Sequence, residues 1–89
     1  MPYIAHGKDK ALVDKLVAVY FLETPVIKMG VLNYFVTKLM LGIIKRFGES
    51  YDTYNALVGV LECAKQELIR RRLSPYEDKK CKENGDVYE

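Results

Sequence analysis

Along this chain hydrophobic and polar positions recur with the period of a helix rather than the alternation of a strand. The clearest case is the stretch from Gly30 to Gly48. Placed at 100° per residue, Leu32, Phe35, Val36, Leu39, Met40, Ile43 and Phe47 fall inside an arc of roughly 140°. One neighbouring helix cannot cover so wide an arc, so this helix is expected to pack on helices one and three, with Phe35, Leu39 and Ile43 at the centre. Its other side mixes Asn33, Tyr34, Thr37 and Lys38 with Leu41 and Ile44, a face suited to a partner subunit or a bound ligand.

The flanking segments follow the same logic. Leu12, Val13, Leu16, Val17, Val19 and Tyr20 share one side of a helix predicted from Asp9 to Leu22, with Lys10, Asp14 and Lys15 opposite. Pro25 ends it, because the residue before a proline is pushed out of the helical region. Residues 1–8 read as an irregular arm, and Thr24–Met29 as a connector. Gly48-Glu49-Ser50 is a turn in which Gly48 closes one helix and Ser50 caps the next. A link that short predicts two antiparallel helices. The third helix is predicted from Tyr51 to Leu73, with Tyr54, Leu57, Val58, Leu61, Ala64 and Leu68 on its core side. Ser74-Pro75-Tyr76-Glu77 then matches a capping box with proline at the first helical position. It predicts a separate short helix, Pro75 to Glu83, set at an angle to the third. Asn84-Gly85 closes that helix, and residues 84–89 form a tail whose Val87 and Tyr88 are expected to fold back. The predicted fold is all-α: one domain over residues 1–89, a small bundle of three main helices plus a short C-terminal helix and tail.

Size changes this picture in one respect. A chain of 89 residues hides a modest share of its surface, yet 49% of its residues are hydrophobic. With no disulfide framework, self-association is the expected way to complete the core, so a homo-oligomer is predicted. Cys63 and Cys81 are far apart and have no CxxC or Cys/His companions, and His6 is the one histidine, which argues against a zinc site. Free thiols, an N-terminus without an apolar signal region and no ~20-residue apolar run point to a cytoplasmic protein away from the membrane. No cofactor motif is present. The net charge of +2 is too small to imply nucleic acid.

Candidate chemistry gathers on the third helix and beyond. Asn55, Glu62, Gln66 and Arg70 line one stripe, and Glu62, Gln66 and Arg70 are successive i,i+4 neighbours. Such a ladder reads first as a solvated face. Arg70-Arg71-Arg72 fans over about 200°, so it is not a single basic patch. Arg71 lies near the apolar side, four residues after Glu67. It serves either a structural ion pair with Glu67 or a fork that grips phosphate or carboxylate in two places. Tyr76 and Tyr88 offer rings for a base to stack on, and Asp78 and Asp86 can accept hydrogen bonds from ribose hydroxyls or base amines. Arginine for phosphate, tyrosine for base and carboxylate for ribose would together make a nucleotide site. No catalytic set is visible: there is no nucleophile with a base beside it and no paired ligand motif, so an enzyme is not expected.

Several segments resemble a known group of sequences. They are Gly30-Val31-Leu32-Asn33-Tyr34 with Thr37; Gly59-Val60-Leu61-Glu62-Cys63-Ala64-Lys65 with Glu67, Arg70 and Arg71; Pro75-Tyr76-Glu77-Asp78-Lys79; and Glu83-Asn84-Gly85-Asp86-Val87-Tyr88. Together they resemble a small protein family found widely in phages and bacterial genomes, to which no activity is attached. The resemblance covers about residues 30–88, and its most distinctive part is the closing Asn-Gly-Asp-Val-Tyr. Val31 stands where an acidic residue is usual, Leu68 and Ile69 replace two aromatics, and Arg72 replaces an apolar residue.

The phage setting implies a class by analogy. Very small, oligomeric, non-enzymatic phage proteins include those that sequester nucleotide signals of bacterial immunity, in polar pockets between subunits. The leading expectation is therefore a counter-defence protein of the host cytoplasm that binds a cyclic nucleotide or ADP-ribose-type molecule without turning it over. Arg70 and Arg71 would hold phosphate, and Tyr76 or Tyr88 would stack on the base. Asn33, Thr37, Glu62, Asp78 and Asp86 would orient the ligand. The alternative is a protein–protein interaction module that inhibits a host protein through its excess apolar surface.

Overall fold

A computed structural model describes residues 3–88. They form helices α1 (Lys8–Glu23), α2 (Met29–Phe47), α3 (Tyr51–Leu68) and α4 (Ser74–Asn84), with a π-helical turn at Ile69–Leu73 between the last two. The described residues contain no strand, which agrees with the all-α expectation. Tyr3–Gly7 are outside any helix, as expected for the arm, whose first two residues lie outside the described range.

The chain divides into two compact units, Tyr3–Asn55 and the stretch that begins at Ala56. In the first, α1 opens without a polar cap: the Ala11 N–H reaches the Gly7 carbonyl at 3.0 Å, and Asp9 sits in the first turn, where the helix dipole favours a negative charge. The helix runs to Glu23 and stops two residues before Pro25, as proline chemistry requires. Tyr20 of α1 meets Phe35 of α2 edge to face, with ring centroids 5.3 Å apart, and Tyr20 also lies at 6.0 Å from Phe21.

The covered row of α2 lies at the edge of the expected arc rather than at its centre: Val36 and Met40 belong to that arc and Ile44 lies outside it. Val36, Met40 and Ile44 are half-buried, while Phe35, Leu39 and Ile43 remain 44%, 54% and 38% exposed. The first three form a single i,i+4 row, which is as much as one neighbour can shelter. The 140° arc needs two. No described residue is buried.

The turn after α2 forms as its residues dictate. Gly48 takes φ +90° and ψ 156°, a conformation open in practice to glycine alone, and its N–H returns to the Ile44 carbonyl at 2.8 Å. Ser50 caps α3 by accepting the Thr53 N–H on Oγ at 3.1 Å. The Tyr54 hydroxyl, assigned to the core side, instead donates to Glu49 at 2.7 Å. That bond to a carboxylate, then desolvation and the Glu49 charge, raises the Tyr54 pKa.

In the second unit the expected break at Ser74-Pro75 is absent. Ser74 has helical angles, φ −61° and ψ −48°, and no side-chain cap bond forms, so the capping box is not assembled. The helix passes through Pro75 by widening into the π-turn: the Ser74 N–H bonds the Ile69 carbonyl, five residues back. Proline has no N–H for the carbonyl four residues before it and its ring crowds that carbonyl, and the wider turn relieves both problems. Gly85 closes α4 with φ +90°, its N–H on the Cys81 carbonyl at 2.9 Å.

Candidate functional site

Around the π-turn the side chains pair locally. Arg70 grips Glu67 twice, Nη2 to Oε2 at 3.0 Å and to Oε1 at 3.1 Å, and Nε adds a third bond at 3.3 Å. Glu67 therefore engages the arginine three residues on; spacing offers it Arg71, four residues on, as one of two readings of that arginine. Glu67 is half-buried and Arg70 exposed, so the carboxylate lies against the helix while the guanidinium bends back to it. Arg71 and Arg72 are exposed.

One turn earlier, Glu62 accepts the Gln66 amide at 2.9 Å and lies 3.7 Å from the Lys65 ammonium. The Gln66 bond first, and the Lys65 charge second, hold its carboxyl below the usual carboxylate range. Glu62 is thus an acceptor at neutral pH, fit to receive a hydroxyl or amine.

On α4, the Lys80 ammonium lies 5.6 Å from the centre of the Tyr76 ring and 3.2 Å from Glu83. Below it the C-terminal turn makes a shallow groove of ≈ 430 Å³, lined by Glu77, Asp78, Cys81, Asp86 and Tyr88 among others. The groove exists because Gly85 turns the chain and Asp86 fixes the turn by accepting the Tyr88 N–H on Oδ1 at 2.8 Å. Cys81 is half-buried on its wall. Desolvation, then its hydrogen bond with Asp86 and the Asp78 charge, push the thiol pKa up. Three carboxylates against one lysine make this a groove for hydroxyls, amines or cations rather than phosphates.

The predicted residues therefore fall into separate groups. Asp78, Asp86 and Tyr88 meet in the groove, whereas Tyr76, Glu62, Arg70 and Arg71 are not among its lining. The tail's Val87 and Tyr88 side chains, expected to fold back, are 91% and 93% exposed: it is the Asp86 carboxylate, not an apolar group, that turns inward. Asn33 and Thr37 belong to α2 in the first unit, and the Thr37 hydroxyl donates to the Asn33 carbonyl at 2.8 Å. Cys81 and Glu77 were missed as groove residues. The available signal was spacing: Cys81 lies three residues after Asp78 and four before Gly85, on one helical side. Among the described residues no group of three or more His, Cys, Asp or Glu is arranged to hold a metal ion, and no helix is long and apolar enough to cross a membrane.

The chain belongs to a family described as a domain of unknown function, DUF6899, whose model matches residues 1–87. Neither the curated proteins nor the solved structures contain a match to it.

Proposed function

We propose that this protein acts by binding rather than by turnover, as a single helical domain whose bundle is completed by further copies of the same chain. The observation that carries the reading is the exposure of apolar side chains: Leu16 is 58%, Phe21 60%, Leu39 54% and Leu41 53% exposed, and no described residue is buried. Ordering a backbone costs about 1–2 kcal/mol per residue, and buried side chains of the Val/Leu/Ile/Phe type return about 1.5–3 kcal/mol each. Half-buried rows alone do not offset that cost. A second copy brings the same apolar faces in matching number, as an isologous interface requires.

The ligand class proposed for the assembly is a nucleotide-derived signalling molecule, held in polar clefts as part of a phage's counter-defence in the host cytoplasm. Support comes from the exposed Arg71 and Arg72 for phosphate, Tyr76 for stacking and the ionised Glu62 as an acceptor. Arg70 is committed to Glu67, so Arg71 takes the leading phosphate role. Isothermal calorimetry with cyclic dinucleotides and ADP-ribose derivatives tests this. At least one should bind, and Arg71→Ala should weaken it tenfold or more. Silence from all of them, or binding unchanged in Arg71→Ala, defeats the nucleotide reading.

The same exposed apolar faces favour one second reading, inhibition of a host protein. A pull-down from host lysate separates the two: one stoichiometric protein partner, together with no response to nucleotides, selects the inhibitor.

A further inference from the structure

Four local features at residues 74–77 favour a helix start. Serine is a preferred N-cap, proline suits the first helical position, glutamate at the third position completes a capping box, and a residue before proline prefers extended backbone. Yet Ser74 is helical and makes no cap bond, and the helix runs through by giving the Ser74 N–H to Ile69 across the wider π-turn. Local sequence and observed backbone thus favour two different arrangements of one short segment. Part of the hydrogen bonding given up in breaking the helix is recovered locally, while the carbonyls of residues 69–73 turn to water. In the broken form the Ser74 N–H would pass from the Ile69 carbonyl to the Glu77 carboxylate, and the Glu77 N–H would pass to Ser74 Oγ.

We propose that Ile69–Pro75 is a two-state hinge. One state is the continuous helix with its π-turn. In the other, Ser74 turns to extended backbone, the Ser74–Glu77 box closes and α4 pivots away from the axis of α3. The pivot would give α4 and its acid-lined groove a second position relative to Arg70, Arg71 and Arg72. Any partner that prefers one of these positions would shift the balance between them. This inference stands independently of the ligand proposed above, since it rests on residues 69–77 alone.

The protein carries its own reporters, Cys63 in α3 and Cys81 in α4, one on each side of the hinge. Spin labels on both, diluted with label-free Cys63→Ser/Cys81→Ser protein to suppress distances between copies, give the separation by pulsed electron resonance. The continuous helix places the labelled backbones about 27 Å apart along its axis. A second, shorter distance is expected in the wild type or in Arg72→Gly, which weakens the run-through helix. Ser74→Ala should cut that population roughly fivefold, and Pro75→Ala should abolish it. Circular dichroism on each variant checks that the helices persist. A single distance near 27 Å in both wild type and Arg72→Gly overturns the proposal. A short distance that Ser74→Ala leaves unchanged overturns it equally.

Discussion

The two units of this chain are held together by different chemistry. In Tyr3–Asn55 the contacts between helices are aromatic and apolar, centred on Tyr20 and Phe35, and long rows of Leu, Val, Ile and Phe remain exposed. In the stretch from Ala56 onward the order is local: Glu62–Lys65, Glu67–Arg70 and Lys80–Glu83 pair at i,i+3, and Asp86 fixes its own turn. Local pairs cost nothing in loop closure but contribute little, about 0.2–1 kcal/mol each at exposed sites. Apolar faces contribute far more, and only when something covers them. The first unit is therefore where stability should depend on protein concentration, and the second is where it should depend on local sequence.

The sharpest way to break this contrast is a charge on the apolar face of α2. Leu39→Asp should abolish self-association in analytical ultracentrifugation and lower the helical signal. The comparable change at Leu61 in α3 should do so less. Equal effects would erase the distinction between the units.

Two glycines give the next test, because Gly48 and Gly85 share φ +90°. Gly48→Ala should destabilise by about 1–3 kcal/mol in thermal melts, the cost of a side chain in that region. Gly85→Ala carries a similar local cost, but it should appear as loss of amide protection in the groove turn, with the melting temperature nearly unchanged. Smaller again is Ser50→Ala, expected to cost about 1 kcal/mol through the lost Thr53 bond.

The smallest expected effect concerns the groove. Its raised pKa leaves Cys81 less thiolate at pH 8 than an ordinary cysteine has, so iodoacetamide should modify it slowly. Asp86→Asn removes a group that raises the pKa, so the thiolate fraction and the rate should rise about twofold. A slower rate in that variant would mean that Asp86 has the opposite influence.

Much of the helical layout was legible because period, proline and glycine act locally. Gly48 and Ser50 form the turn that their chemistry predicts, and Pro25 limits α1. The capping box misled because the same four residues can also sit in a helix once a π-turn absorbs the proline, and a motif does not report which alternative is lower in energy. The grip of Arg70 on Glu67 was not read from the sequence, because i,i+3 and i,i+4 partners both lie in reach and rotamers decide between them. A helical wheel also could not tell which row of α2 is sheltered, since that depends on where a neighbour lies and not on α2 itself. For the candidate site, residue types were readable but proximity was not: the groove depends on the Gly85 and Asp86 turn, which brings the tail back toward Cys81.

The π-turn has a consequence for the phase of the helix. A bond that spans five residues instead of four takes one extra residue into the turn, so everything after Ser74 is out of step by about 100° with a wheel drawn from α3. By residue number Asp78 falls about 80° past Arg70 on the wheel, and the extra residue brings it back to within about 20° of Arg70's direction. Farther along the axis, Asp78 lines the groove together with Cys81 and the tail. Deleting a single residue from Ile69–Leu73 would remove the one that the wide turn absorbs, leaving a regular α-helix with Asp78 on the side it already occupies.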